Sequence, residues 1–245
     1  MNILLVLAFL FAAGSLIGWC IEVVWRKFFS SGNPEHKWIN PGFLNGPYLP
    51  LYGFCLTILF ALANIDVSFI ENPILQKLVL FVCMACCITL FEYIAGLIFI
   101  KGMKIKLWDY TGFWGNIQGI ICPLYSFFWY ILSAVYYFLI HPRILDWLFW
   151  FTNHLTFAFF VGFFYGLIFV DLCATFRVMA RVRKFAAENK VVIHIDHLKH
   201  HVQEINRDEK NRVHFWLAMK TEEVSLNEAL KRFKDKLPVE KHIKK

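Results

Sequence analysis

ILQKLVLFVCMACCITLFEYIAGLIFI, residues 74–100, holds one cation near its start and one acid, Glu92, near its end. A hydrocarbon core takes about 20 apolar residues as a helix. This stretch meets that length with room to spare, and its polar content is too low for a soluble helix. It reads as a membrane span with a carboxylate placed inside it.

Four further stretches read the same way: Ile3–Trp25, Pro47–Ile65, Ile117–Ile140 and Trp147–Phe176. The expected fold is therefore all-α, a polytopic bundle of five transmembrane spans. The first stretch is not a cleavable leader, since no Lys or Arg precedes it and no small-residue cleavage site follows. Composition agrees. Of 245 residues, 58% are hydrophobic and only 18% charged, against about 25% charged in soluble domains.

The charge is unevenly placed. Residues 1–176 carry eight Lys/Arg and eight Asp/Glu, whereas 177–245 carry 17 and ten, which gives the net charge of +7. The expected organisation is a transmembrane domain over 1–176 followed by a basic cytoplasmic tail over 177–245. Such a tail beside a lipid bilayer suits anionic headgroups. No nucleic-acid-binding motif is present.

Lys/Arg in short loops set orientation. Arg26, Lys27 and Lys37 follow the first span. Lys101, Lys104 and Lys106 follow the third, and Arg177, Arg181, Arg183 and Lys184 the fifth. The other two loops carry only Lys77 and Arg143. The alternation places the N-terminus outside and the C-terminus in the cytoplasm of an inner-membrane protein.

The two cationic loops resemble each other. Glu22 precedes Gly42-Phe43 by 20 residues, and Glu92 precedes Gly112-Phe113 by the same interval. Asn45-Gly46 then matches Gln118-Gly119, and Pro50-Leu51-Tyr52 matches Pro123-Leu124-Tyr125. This predicts a duplicated helix–loop–helix unit, 1–70 and 71–140, with a fifth span over 141–176. Duplicated units in transporters commonly place sites at the repeat interface. Two Gly/Pro-rich loops entering apolar helices are the plainer explanation.

Three acids interrupt the spans: Glu22, Glu92 and Asp171. An ionised carboxylate in hydrocarbon costs several kcal/mol unless paired, hydrated or protonated. The expectation is an acidic polar cavity open to the cytoplasm, for a cation, a proton or an amine-bearing substrate. The local alternative is strongest for Glu22, which has Arg26 four residues on, about 6 Å along the axis. The first loop offers Asn40, Gly42, Asn45, Gly46, Pro47, Pro50 and Tyr52. The second offers Trp108, Asp109, Tyr110, Asn116 and Gly119. Asp109 could equally cap a turn.

Cys83-x-x-Cys86-Cys87 has redox or metal-pair spacing, yet no His or acid accompanies it in sequence, and small packing residues explain it as well. His194-x-Asp196-His197-x-x-His200-His201 reads as a solvated helix face before a metal site. No metal, cofactor or catalytic residue is expected. Ser225-x-x-Glu228 opens an amphipathic helix with Leu226, Ala229, Leu230, Phe233 and Leu237 on its apolar stripe.

With these residues in hand, the chain resembles a family of bacterial membrane proteins, the CmpB or ABC-transporter type IV permease group. The resemblance runs over about residues 14–176. It is carried by Gly18-Trp19 with Glu22, Asn40 through Gly53, Glu92-Tyr93, Trp108-Asp109-Tyr110, and Asn116 with Gly119. Pro41 and Thr111 stand where the family pattern has Arg and Ser. The resemblance implies a membrane-embedded transport subunit. The chain has no P-loop, so ATP hydrolysis would require a separate ATPase subunit. A homodimer would relieve the small size of a five-span pore. A regulator or assembly factor that docks partners through its tail, and an intramembrane lipid-modifying enzyme, are the competing classes. The enzyme lacks a nucleophile–base pair.

Overall fold

The structure is a computed structural model that describes residues 3–30, 33, 36, 38–189, 191–195 and 197–199. Lys37, Asp196, His200, His201 and the amphipathic stretch from Ser225 lie outside the described residues. The chain is a helical membrane bundle, with almost no strand among the described residues.

Its helices are α1 (Ile3–Phe28), α2 (Pro50–Ala63), α3 (Pro73–Leu97), α4 (Pro123–Val135), α5 (His141–Asn153) and α6 (Ala158–Asn189). A wide π turn, Ile98–Met103, extends α3, and another, Tyr136–Ile140, joins α4 to α5. Two short strands, β1 (Ile105–Lys106) and β2 (Ile193–His194), pair in parallel.

Among the described residues, four continuous helical stretches are long and apolar enough to cross a membrane: Ile3–Phe28, Pro73–Met103, Pro123–Asn153 and Leu155–Asn189. This corrects three of the expected spans. The second expected span contains only the 14-residue α2, about 21 Å of helix against a hydrocarbon core of about 30 Å. The fourth begins at Pro123 rather than Ile117 and runs on to Asn153, taking Trp147 with it. Pro142 lacks an N–H and would clash with the preceding turn of an α-helix. The π turn before it absorbs the mismatch, so the helix continues where a break is expected. The fifth then starts at Leu155, after a turn at His154.

The chain divides into two compact units, with α1 and α6 contributing to both. Unit 1 comprises Met1–Trp19, Tyr48–Leu97 and Asp109–Ile168. Its core joins Val6 and Leu10 of α1, Cys55 and Leu59 of α2, Leu80, Phe81, Met84 and Ile88 of α3, and Tyr136, Ile144 and Leu148. Leu80, Met84, Ile88, Glu92 and Gly96 recur every four residues and are all buried, which is one face of a helix. Glu92 therefore sits on the packing face of α3.

Helices α1 and α2 meet through glycine. A Cβ on Gly18 would fall 2.3 Å from the Cβ of Tyr52, and one on Gly53 would fall 2.3 Å from Ser15 Oγ and 2.6 Å from Phe11 O. In a bilayer, where lipid removes most of the hydrophobic drive for helix association, such close backbone approach supplies the packing.

Unit 2 comprises Cys20–Pro47, Ile98–Trp108 and the chain from Phe169. Ile105, Met179, Val182, Ala186, Ile193, Ile195 and Leu198 form its core. The three segments that the loop charges assign to one side of the membrane thus share one compact unit.

Candidate functional site

Glu22 is paired locally: Arg26 Nε donates to Glu22 Oε1 at 2.9 Å, one helical turn away. The other two carboxylates are held by residues distant in sequence, Glu92 within unit 1 and Asp171 within unit 2.

Glu92 is only 4% exposed. The Tyr110 hydroxyl donates to its Oε1 at 3.0 Å, and the Trp129 indole N–H donates to its Oε2 at 3.0 Å. Tyr110 is placed by the loop that follows unit 2's second segment. Its backbone N–H donates to Gly119 O at 2.8 Å, and its ring stacks on Tyr125 with centroids 4.2 Å apart and planes 12° from parallel. Asn116 ties the loop to itself by donating to Thr111 O and Phe113 O while accepting from Gly119 N. Gln118 and Gly119 both take positive φ, 56° and 69°, which lets the chain double back before Pro123 starts α4. Gly119 adopts that conformation freely, whereas Gln118 does so at a steric cost. Asp109 accepts from Thr111 N at 3.0 Å, a turn-capping contact.

Burial, then the Glu92 carboxylate beside it, pushes the Tyr110 phenol far above its ordinary value. Tyr110 therefore keeps its proton and can donate it in a hydrogen bond.

Asp171 is held by the first loop. Asn45 N and Gly46 N donate to its Oδ2 at 3.0 and 2.8 Å, and Asn45 Nδ2 donates to its Oδ1 at 2.7 Å. Thr175, one turn along α6, donates to Oδ1 at 3.1 Å. The loop is shaped for this. The Asn40 side chain donates to Leu44 O and Asn45 O, closing the turn from within. Gly42 sits at φ 74°, where a side chain would be strained. Lys199, 3% exposed, donates its ammonium to Asn40 O at 2.6 Å and to Gly42 O. Asn40, Gly42, Asn45 and Gly46 are thus brought together with Asp171. Pro47 closes that loop, Pro50 opens α2, and Tyr52 packs on Gly18. Trp108 is half-buried at the end of its segment.

Four participants escape a reading of the sequence. Trp129 looks like one more apolar residue of a span. Thr175 is visible only as a hydroxyl one turn from Asp171. Lys199 lies in a stretch whose histidines draw attention first, and Ser15 is hidden within an apolar run. Ser15 Oγ is buried without a hydrogen-bond partner, close to the Cα of Gly53. Cys83 and Cys86 are exposed on α3, and Cys87 is partly so.

No characterised protein and no solved structure matches the chain. Residues 9–176 match the family described as "Putative ABC-transporter type IV". The match takes in Glu22, Glu92, Asp171 and both loops, and ends before Arg177. Covering more than two thirds of the chain, it makes this multi-pass membrane protein a member of the ABC-transporter type IV (CmpB) family.

Proposed function

We propose that the chain is the membrane permease subunit of an ABC-type transporter, working with a separate ATPase. Family membership supports the class. The observation that carries the reading further is Glu92, a carboxylate buried on the packing face of an apolar helix. Such a group is costly in a membrane and is typically retained for ion or substrate handling. Neutral donors, Tyr110 and Trp129, reach both of its oxygens.

In this reading Glu92 is a polar element of the transport path, Asp171 anchors the first loop within unit 2, and Glu22 with Arg26 is structural. Unit 2 faces the cytoplasm, with the N-terminus outside and the C-terminus inside. The clustering of the cationic segments in that unit supports this orientation. It requires α2 and its flanking chain to return across the membrane. The two loops belong to duplicated halves, an interpretation favoured by the matched helix starts at Pro50 and Pro123, each following an extended residue.

Purification of the full chain from native membranes tests the assignment. A co-purifying ATPase in fixed ratio is the expected result. A single non-ATPase partner in fixed ratio would replace the permease role with that of a regulator or assembly factor.

A further inference from the structure

We propose that Glu92 is a proton-binding site, loaded on Oε1 and sensed by Tyr110. The proposal deepens the transport reading by naming the ligand of the Glu92 pocket.

The chemistry follows from what each neighbour can do. An indole N–H donates and cannot accept. Trp129 therefore fixes Oε2 as an accepting oxygen. A phenol hydroxyl both donates and accepts. Tyr110 can therefore face Oε1 in either sense across the same 3.0 Å. With the carboxylate ionised, Tyr110 donates to Oε1. When a proton arrives from water it sits on Oε1, Oε1–H donates to Tyr110 Oη, and the Tyr110 O–H rotates away from Oε1. No bond other than O–H is made or broken, and no heavy atom must move. Burial at 4% exposure leaves little water to hydrogen-bond either form, so both forms depend on these neighbours.

Other titratable groups surround the pair. Tyr125 of α4 stacks on the Tyr110 ring, and Cys55 of α2 packs in the same core as Ile88, one turn before Glu92 on α3. Thiols and phenols ordinarily titrate well above a carboxyl, so proton uptake on acidification falls to Glu92. The state of Glu92 is then expressed in Tyr110, whose backbone bonds Gly119 and whose ring stacks on Tyr125. Loading thus acts on the loop between α3 and α4.

Infrared difference spectroscopy of the full chain in lipid vesicles, titrated with acid, reads a protonated carboxyl directly through its carbonyl stretch. The expected result is a band that grows on acidification, is lost in Glu92→Gln, and shifts in frequency and midpoint in Tyr110→Phe, which removes the hydrogen-bond partner. Identical pH-difference spectra for wild type and Glu92→Gln would overturn the proposal. Should Glu92→Gln not reach the membrane, Tyr110→Phe carries the test, and an unshifted band overturns it. Absence of an ATPase from purified material would remove the permease reading and leave this band untouched.

Discussion

The backbone amide of Gly46 donates to Asp171 Oδ2 over 2.8 Å, joining positions 125 residues apart. Asn45 N shares the same oxygen, and the Asn45 side chain takes the other. A carboxylate that accepts three such bonds organises the loop as much as the loop holds the carboxylate. Replacing it with an amide removes the charge and sets an N–H against the donors. Asp171→Asn should cost about 2–4 kcal/mol, the range for charge-assisted bonds lost from a half-buried site. Thr175→Val, which removes one neutral donor to Asp171 and one acceptor from the Asn45 amide, should cost about 1–2 kcal/mol. Thermal unfolding in detergent micelles checks both values and their order.

Lys199 performs the complementary task on the loop's carbonyls. Lys199→Met leaves Asn40 O and Gly42 O without that donor. We expect about 1–3 kcal/mol of destabilisation and faster cleavage within the first loop on limited proteolysis. Equal cleavage rates in wild type and variant would show that Lys199 does not hold the loop.

Glycines separate into two classes that alanine substitution should distinguish. Gly18→Ala and Gly53→Ala place a methyl within 2.3 Å of neighbouring atoms, and overpacking of this kind costs about 1–3 kcal/mol. Gly162 and Gly166 have nothing within 4 Å of an added Cβ. Their alanine variants should be neutral or more stable by up to about 1 kcal/mol, since alanine favours helix. Unfolding of the four variants in one detergent gives the comparison.

Hydropathy alone announces the long helices, because an apolar run that fills a bilayer leaves little choice of structure. It fails at their ends. Ile117–Ile121 is apolar yet turns back on itself, with a bridge between those two residues, because Gln118 and Gly119 take left-handed backbone. Pro142 suggests a break that a π turn removes. The site divides in the same manner. Glu22 with Arg26 is readable because four residues make one helical turn. Asp171 with Asn45, and Glu92 with Trp129, depend on tertiary packing that no spacing encodes. The shared loop pattern points to Asn45, Gly46, Tyr110 and Gly119 without saying which acid each would serve.

The short α2 makes topology a sharp test. In a cysteine-free background, Ser68→Cys should react with an impermeant thiol reagent added outside intact cells, and His36→Cys, on the other side of α2, only after the membrane is opened. Both positions are exposed. Labelling of both from the same side would show that Pro50–Ala63 and its flanks do not return the chain across the bilayer.

The most direct test of a transport role for Glu92 is ATP turnover by the purified complex in lipid vesicles, wild type against Glu92→Gln. Turnover should fall about tenfold or more, equivalent to about 1.4 kcal/mol of lost stabilisation, while Glu22→Gln stays near wild type. Full turnover in Glu92→Gln would contradict that role and leave the buried carboxylate a structural element of the bundle.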